Sequence, residues 1–531
     1  MIQGSARTGA GPAAERIRAR LAEAVAAHRR GRLDVAEPIY RDILRQAPDH
    51  SDALHLLGLV AHQKGDQAEA IRLIGRALRL NPANAAYANS LGLALLAQGR
   101  ADKAEEAFAR ALGLDPALAE AHNNLGNARM RSGNSDGAIA AYQRAIAIRS
   151  DYAEAHANLA AALRKAGELA AARAAAERAL AIRPDYVGAL CTLGLIRHEQ
   201  GEYEAALAVY DRAMALDPLH ATARANRATL LLLLGRMEEG WREYEWRWRA
   251  QGFTTKARDF GRPGWDGSDL AGRTILIHAE QGLGSAIQFV RYVPLVAARG
   301  GRVILECQPP LARLFGSLVG RGAEALVCKG EALPEFAVHA PLMSLPRLLG
   351  TTLATIPNHV PYLTVEEQMG TFWRERLAHL PEPRVGLVWA GNPNHANDRN
   401  RSLPARLLAP LLARPGLSFV DLQVGAAASE RAQLPEGALA SPGELGDFAD
   451  TAATVAALDL VISVDTAVAH LAGALAKPVW ILLPFVGEWR WLEERPDTPW
   501  YPTMRLFRQQ RPGDWEGVVD AVGQALADRA W

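Results

Sequence analysis

Three short stretches carry residues whose types and spacing suit a ligand site. In "IHAEQGLGSAIQF" (277–289), an apolar run ends in Gly282-Leu283-Gly284, with Glu280 just before it and Ser285 just after. Strand, glycine turn and helix in that order often cradle a phosphate. The sixth position is Ile287 where a dinucleotide fingerprint wants glycine, so NAD is a poor match. Ser285 is placed to cap the next helix or to touch a ligand. In "DLVISVDTAVAHLAG", Asp465-Thr466 ends a second apolar run, and His470 follows about one turn later. A helix starting there aims free amides and partial positive charge at a diphosphate. A plain N-cap at Asp465 and a core role for His470 are the structural alternatives. In "WAGNPNHANDRNRSLP" (389–404), Asn392, His395, Asp398, Arg399 and Arg401 leave a third run. Arginine pairs bidentately with phosphate oxygens, unless this loop is simply solvated. Gln423, ending "DLQ", either faces a base or ribose or serves its own loop.

These residues need strands to present them. The runs 274–279, 302–307, 384–391, 418–423, 458–464 and 478–484 read as short strands, separated by helical segments. Such alternation predicts parallel sheets with crossover helices. The break at "LAHLPEPR" (377–384) divides the region into two doubly wound lobes, whose ligands belong at the carboxyl ends of strands. The block "EWRWLEERPDTPWYPTMRLFRQ" is dense in aromatics. Trp489, Trp491, Trp500 and Tyr501 are expected to fill a core or close the cleft.

The residues upstream differ in kind. All twelve tryptophans lie at or after Trp241, and the preceding chain is rich in Ala, Leu, Arg and Glu. Pro48, Pro82, Pro116, Pro184 and Pro218 fit steps of 34, with Ser150 in the missing slot. Small residues recur at the same step: Ala24, Gly58, Gly92, Gly126, Ala160, Gly194 and Ala228, and again Ala36, Ala70, Ala104, Ala138, Ala172, Ala206 and Gly240. A mostly aromatic register holds Tyr40, Phe108, Tyr142, Tyr210 and Tyr244. This pattern resembles the tetratricopeptide repeat, a helix-turn-helix stacked into a solenoid. It predicts six repeats from about residue 17 to 220 and an atypical seventh to about 250. On the first helix of each, Ser90, Asn124, Asn158, Thr192 and Asn226 recur, whereas Ala22 and Leu56 occupy that place in the first two. Short amides and hydroxyls can pair with the backbone of a bound peptide, or merely keep a groove wet. The similar asparagine ladder of O-linked N-acetylglucosamine transferases implies peptide binding. The aromatics and arginines of "WREYEWRWRAQGF" are expected to pack the solenoid's end onto the next domain.

Composition sets limits. Formal net charge is +1, which gives no support for a nucleic-acid or acidic-membrane partner. Cys191, Cys307 and Cys328 form no CxxC pair and no metal spacing, so a reducing compartment and no metal site are expected. No apolar run is long enough for a transmembrane span and the first residues lack a signal-peptide core, so a cytoplasmic protein is the default.

The second half resembles the GT-B glycosyltransferases, and most of all the bacterial heptosyltransferases of glycosyltransferase family 9. "EQGLGSAIQFVRY", "VGLVWAGNP" and "DLVISVDTAVAHLAGALAKPVW" carry the likeness. The resemblance implies an acceptor-side lobe over 274–380 and a nucleotide-sugar lobe over 381–531, after a tail (1–16), repeats (17–250) and a linker (251–273). It further implies metal-independent transfer from a nucleotide-sugar, with no cofactor. Gly282, Gly284, Asn392, Arg399, Arg401, Gln423, Asp465, Thr466 and His470 would hold the donor. In those enzymes an aspartate stands where Ser285 is, and it is taken as the general base. A serine hydroxyl cannot do that unassisted. Glu280 or His395 could serve instead. The alternative is a non-catalytic repeat scaffold with a degenerate transferase domain. A weaker third is another GT-B-shaped enzyme, such as a nucleotide-sugar epimerase.

Overall fold

The computed structural model describes residues 12–395 and 397–528. Of the tail expected over 1–16, residues 1–11 lie outside the described part, and the first helix already opens at Pro12. The chain forms two compact units, one up to Leu216 and one from Asp217. The helix pair expected as an atypical seventh repeat belongs to the second.

Described residues of the first unit form six consecutive helix pairs, from Pro12–Arg29 with Leu33–Gln46 to Val187–Glu199 with Tyr203–Leu216. Each pair turns at a glycine, a further register at the same step beyond those read from the sequence: Gly31, Gly65, Gly99, Gly133, Gly167 and Gly201 all have φ between 74 and 90°. Any residue with a Cβ is strained there. The small and aromatic registers prove to be two sides of one contact. A Cβ on Gly126 would stand 2.4 Å from Tyr142 Cε1, and one on Gly92 or Gly194 would stand 2.5 Å from the Phe108 or Tyr210 ring. The Tyr142 hydroxyl donates to Asn127 Oδ1 at 2.8 Å, so the ring is not free to swing aside. Gly126→Ala should therefore cost about 1–3 kcal/mol through overpacking. Urea unfolding followed by far-ultraviolet circular dichroism should give a lower midpoint at unchanged slope; an unchanged midpoint would mean the pair separates freely.

The second unit opens with helices Ala221–Leu233 and Met237–Tyr244 and a 3-10 turn, Glu245–Arg249. Two parallel sheets follow. β1 (Thr274–His278), β2 (Arg302–Cys307), β3 (Ala325–Cys328) and β4 (Val338–Pro341) lie in the order β3-β2-β1-β4. β5 (Arg384–Val388), β6 (Ser418–Asp421), β7 (Leu460–Val464), β8 (Val479–Leu483) and β9 (Met504–Arg508) lie in the order β6-β5-β7-β8-β9. All six strands read from the sequence are present. β3, β4 and β9 are additional. β7 and β8 are buried at every position, as central strands covered on both faces must be. Residues 251–273 hold no helix or strand longer than a single bridge, and Trp265 of this stretch donates its amide to the His339 carbonyl in β4.

The lobes are closely joined. Helix Leu283–Phe289 packs on helix Ala467–Ala474. A Cβ on Gly284 would lie 3.0 Å from His470 Cδ2 and 3.3 Å from Ala467 Cα. Gly284 thus admits a neighbouring helix, where the sequence suggested a ligand. A Cβ on Gly282 would meet nothing, so close approach does not require glycine there either. Buried Arg291 donates to the Trp500 carbonyl at 2.6 Å, the Pro357 carbonyl at 3.2 Å and the Tyr362 hydroxyl at 2.9 Å. Within the second unit, Trp241 meets Phe289, Trp489 and Trp500 edge-on, so its opening helices pack against the sheet-bearing part. Trp489, Trp491, Trp500 and Tyr501 are buried core residues.

Candidate functional site

The candidate site gathers at the carboxyl ends of β1, β5, β7 and β8. In both sheets the first strand of the lobe (β1, β5) is flanked by strands on either side, the arrangement that opens a crevice at those ends. After β7, Thr466 takes the N-cap position of helix Ala467–Ala474, which displaces the cap expected at Asp465. The Thr466 hydroxyl does not cap the helix. It lies 3.0 Å from Ser463 Oγ, and among the described residues no side-chain capping bond is made at this helix start. Arg401, after β5, donates Nη1 to the Asp465 carbonyl at 3.2 Å and Nε to Asp398 Oδ1 at 3.1 Å. Its guanidinium lies against Gly391, where a Cβ would stand 2.4 Å from Nη2. Gly391 therefore makes room for a cation beside an uncapped helix start.

After β8 comes a pair that the aromatic reading of this block passed over. Arg490 is buried and donates to Gln288 Oε1, to Glu488 Oε1 and, at 2.9 Å, to Ser285 Oγ. Ser285 is the third residue of its helix, whose N-cap position is Gly282, so it is not the cap the sequence suggested. It is instead the acceptor for an arginine 205 positions away. The signal was a Glu-x-Arg pair five residues beyond the end of the all-apolar strand β8. Burial pushes the Glu488 carboxyl above its usual range, against the pull of Arg490, and Asp465 adds to the rise.

Other candidates have structural roles. Glu280 is 1% exposed, and its carboxylate takes Arg247 Nη2 at 2.7 Å, Arg247 Nε at 3.2 Å and the Met343 amide at 3.2 Å. It has no face left for an acceptor and is not an open base. Gln423 is buried; its Oε1 accepts from the Trp389 and Ala390 amides, and its Nε2 donates to the Ala390 and Val424 carbonyls. Its amide closes strand ends and is not offered to a nucleotide. His470 is buried, 3.0 Å from the Tyr501 hydroxyl through Nδ1 and stacked on Trp491, with Nε2 3.9 Å from Asp465 Oδ1. Burial holds it well below the usual imidazole range, so it is neutral. Asn392, His395 and Arg399 are exposed, with His395 Nδ1 accepting from the Asn397 amide.

His278, ending β1, is buried 3.4 Å from His339, and burial first and His339 second push it down to about 3. The unfolded imidazole titrates near 6.5, so the unfolded chain binds the proton first. Stability is intact above about 6.5 and declines as pH falls toward 3, by up to about 1.4 kcal/mol per unit from this group. His278→Gln should lose less stability than wild type between pH 7 and 5 in fluorescence-detected urea melts; equal losses would remove His278 from the acid response.

In the repeats, the expected groove residues bond along the stack. His55 Nε2 lies 2.9 Å from Ser90 Oγ, Asn124 Nδ2 donates to Asn89 Oδ1 at 3.0 Å, and Asn158 Nδ2 donates to Asn123 Oδ1 at 2.9 Å. Each contact joins residues 35 apart, hence neighbouring repeats. Thr192 instead bonds the Gly188 carbonyl within its own helix, and Asn226 stands on the first helix of the second unit.

Comparison with known proteins agrees with this geometry. Family models described as "TPR repeat" match residues 126–167 and 194–235, and models described as "Tetratricopeptide repeat" match 21–75, 65–119 and 153–186. These are tetratricopeptide repeats. A curated relative, Protein FlbA of Caulobacter vibrioides, is 32% identical over 337 residues, covering 57% of this chain and 54% of FlbA. The chain thus spans about half the length of the curated relative it matches. Among solved structures, MamA is 30% identical, with 30% of this chain and 95% of that chain covered and a TM-score of 0.28. YrrB, described as a TPR protein with an unusual peptide-binding site, is 18% identical, with 35% and 95% covered and a TM-score of 0.29. In this tetratricopeptide stack the amide row first ties repeat to repeat, a role its periodicity alone did not distinguish from peptide binding. No helix among the described residues is long and apolar enough to cross a membrane.

Proposed function

We propose that the second unit is a metal-independent GT-B glycosyltransferase that moves a sugar from a nucleotide-sugar to an acceptor, and that the tetratricopeptide repeats hold a protein acceptor. The observation that carries the reading is the pairing of Arg401 with the uncapped start of helix Ala467–Ala474. Free amides and a guanidinium together suit a leaving diphosphate. Two parallel sheets, with the helices that follow β1 and β7 packed on one another, support the same reading. Tetratricopeptide repeats support a peptide or protein partner.

Calorimetry against uridine, guanosine and adenosine diphosphate-sugars tests it. Arg401→Ala should weaken the nucleotide that binds by roughly 10- to 150-fold, the loss of one charge-assisted contact worth about 1.5–3 kcal/mol. Binding by wild type with undiminished binding by the variant would move the donor site elsewhere. Ser285 favours a second reading, a scaffold that binds nucleotide-sugar or protein without transfer, because its hydroxyl is engaged by Arg490 and is no base.

A further inference from the structure

Cys307 and Cys328 stand 21 positions apart in the sequence and suggest no pairing there. The first sheet brings them together. They are the last residues of β2 and β3, and the register sets Cys307 directly opposite Cys328. Paired residues on neighbouring parallel strands send their side chains to the same face. Neighbouring strands lie about 4.8 Å apart, inside the span of Cα separations, roughly 4.4–6.8 Å, that a disulfide accepts. Ile304, Leu276 and Val327 fill the opposite face with Phe260 and Phe336, so the two thiols share the other side with Leu305 and Leu326. The partners differ in access. Cys307 is fully buried, whereas Cys328 is part-exposed on the edge strand and followed by Lys329-Gly330, with Gly330 at φ 106°. A short edge strand with a glycine two residues beyond its end has room to shift by the fraction of an ångström that bond closure needs.

We propose that Cys307 and Cys328 are an oxidation-sensitive thiol pair that closes to a disulfide on reaction with a hydroperoxide. Cys328, the accessible partner, attacks the peroxide: an S–O bond forms, the O–O bond breaks, and the departing oxygen leaves as water. Cys307 then attacks the Cys328 sulfur. The S–S bond forms, the S–O bond breaks, and a second water leaves with the Cys307 proton. Two thiols and one hydrogen peroxide give one disulfide and two waters, so atoms and electrons balance. Burial pushes the Cys307 thiol up to about 12, which keeps it from reacting with solvent oxidants directly and makes the second step slow; its position directly opposite Cys328 is what favours that step. The bond would form next to Gln308, whose Nε2 donates to the Gln281 carbonyl at 3.1 Å, one residue before the glycine turn. That contact places the thiol pair at the edge of the candidate cleft, although the inference does not depend on the proposed transfer.

The test treats the full-length protein with hydrogen peroxide, then denatures it and alkylates with iodoacetamide. Wild type should fall from three alkylated cysteines to one, Cys191, with the intact mass of a monomer reduced by two hydrogens and one peptide linking 307 to 328. Dithiothreitol should restore all three. Cys328→Ser should abolish the link and leave Cys307 alkylatable after denaturation, with its mass otherwise unchanged. Oxidation of Cys328 alone to sulfinic acid, a link between two chains, or three intact thiols after treatment would each overturn the pair.

Discussion

Arg247→Ala should destabilise the second unit by about 3–5 kcal/mol, the usual result of leaving one member of a buried ion pair behind. Arg247 is 3% exposed and Glu280 1%, and the guanidinium also reaches Ser344 Oγ at 2.9 Å and Glu245 Oε1 at 3.0 Å. The Tyr244 hydroxyl accepts from Gln281 Nε2 at 3.0 Å, so the segment after the last helix pair holds the residues entering the glycine turn. Tryptophan fluorescence reads this unit selectively, because every tryptophan lies at or after Trp241. Burial already raises the Glu280 carboxyl above its usual range with Arg247 beside it. Without the arginine it rises further, and the folded variant binds a proton that the unfolded chain releases near 4.3. The deficit should therefore grow as pH rises from 5 to 8. Replacing both partners, Arg247→Met with Glu280→Met, should recover most of the loss. A fluorescence midpoint within error of wild type at pH 8 for the single variant would show that the pair carries no stability.

That pair was only half visible in the sequence. The glycine turn marked Glu280 as interesting, but its partner is 33 residues upstream, one of several arginines in a stretch expected to pack the solenoid's end onto the next domain, and nothing there singled out Arg247. The repeats were legible because a 34-residue step imposes the same contacts many times, so small and aromatic residues recur in phase. Six strands were legible because they fall in largely apolar runs, and five of them, all but the edge strand β6, are flanked on both sides. β4 carries His339 and Pro341, β9 carries Arg505 and Arg508, and β3 is a four-residue edge, so none makes such a run. Residues at strand ends, such as Thr466 and Arg401, could be found because topology puts ligands there. What each side chain touches could not. Gly284 faces His470, Gln423 closes β5, and Ser285 meets Arg490, all through contacts between residues distant in sequence. The tryptophan-rich block hid Arg490 because its composition reads as core, which most of it is.

Ser285→Asp should raise sugar transfer by about 100- to 10,000-fold, if the proposed reading holds, because a positioned general base is typically worth that much. The geometry bounds the gain. Arg490 Nη2 donates to Ser285 Oγ at 2.9 Å, so an introduced carboxylate would take a charge-assisted bond from the same nitrogen and share the guanidinium with Glu488, which is held by Nη1. That bond would hold the new aspartate ionised at pH 7 and also make it a weaker base, which places the expected gain toward the lower end. Ser285→Ala removes one acceptor from Arg490 without touching the helix cap, which is Gly282, and should leave any wild-type transfer in place. Transfer is measured with the diphosphate-sugar that binds in calorimetry, and nucleotide affinity is measured on the same samples. Nucleotide binding by wild type and Ser285→Asp with no transfer by either would eliminate the enzyme reading and leave the scaffold. Loss of turnover in Ser285→Ala at unchanged nucleotide affinity would instead make the serine itself essential, a role its bond to a buried arginine does not provide.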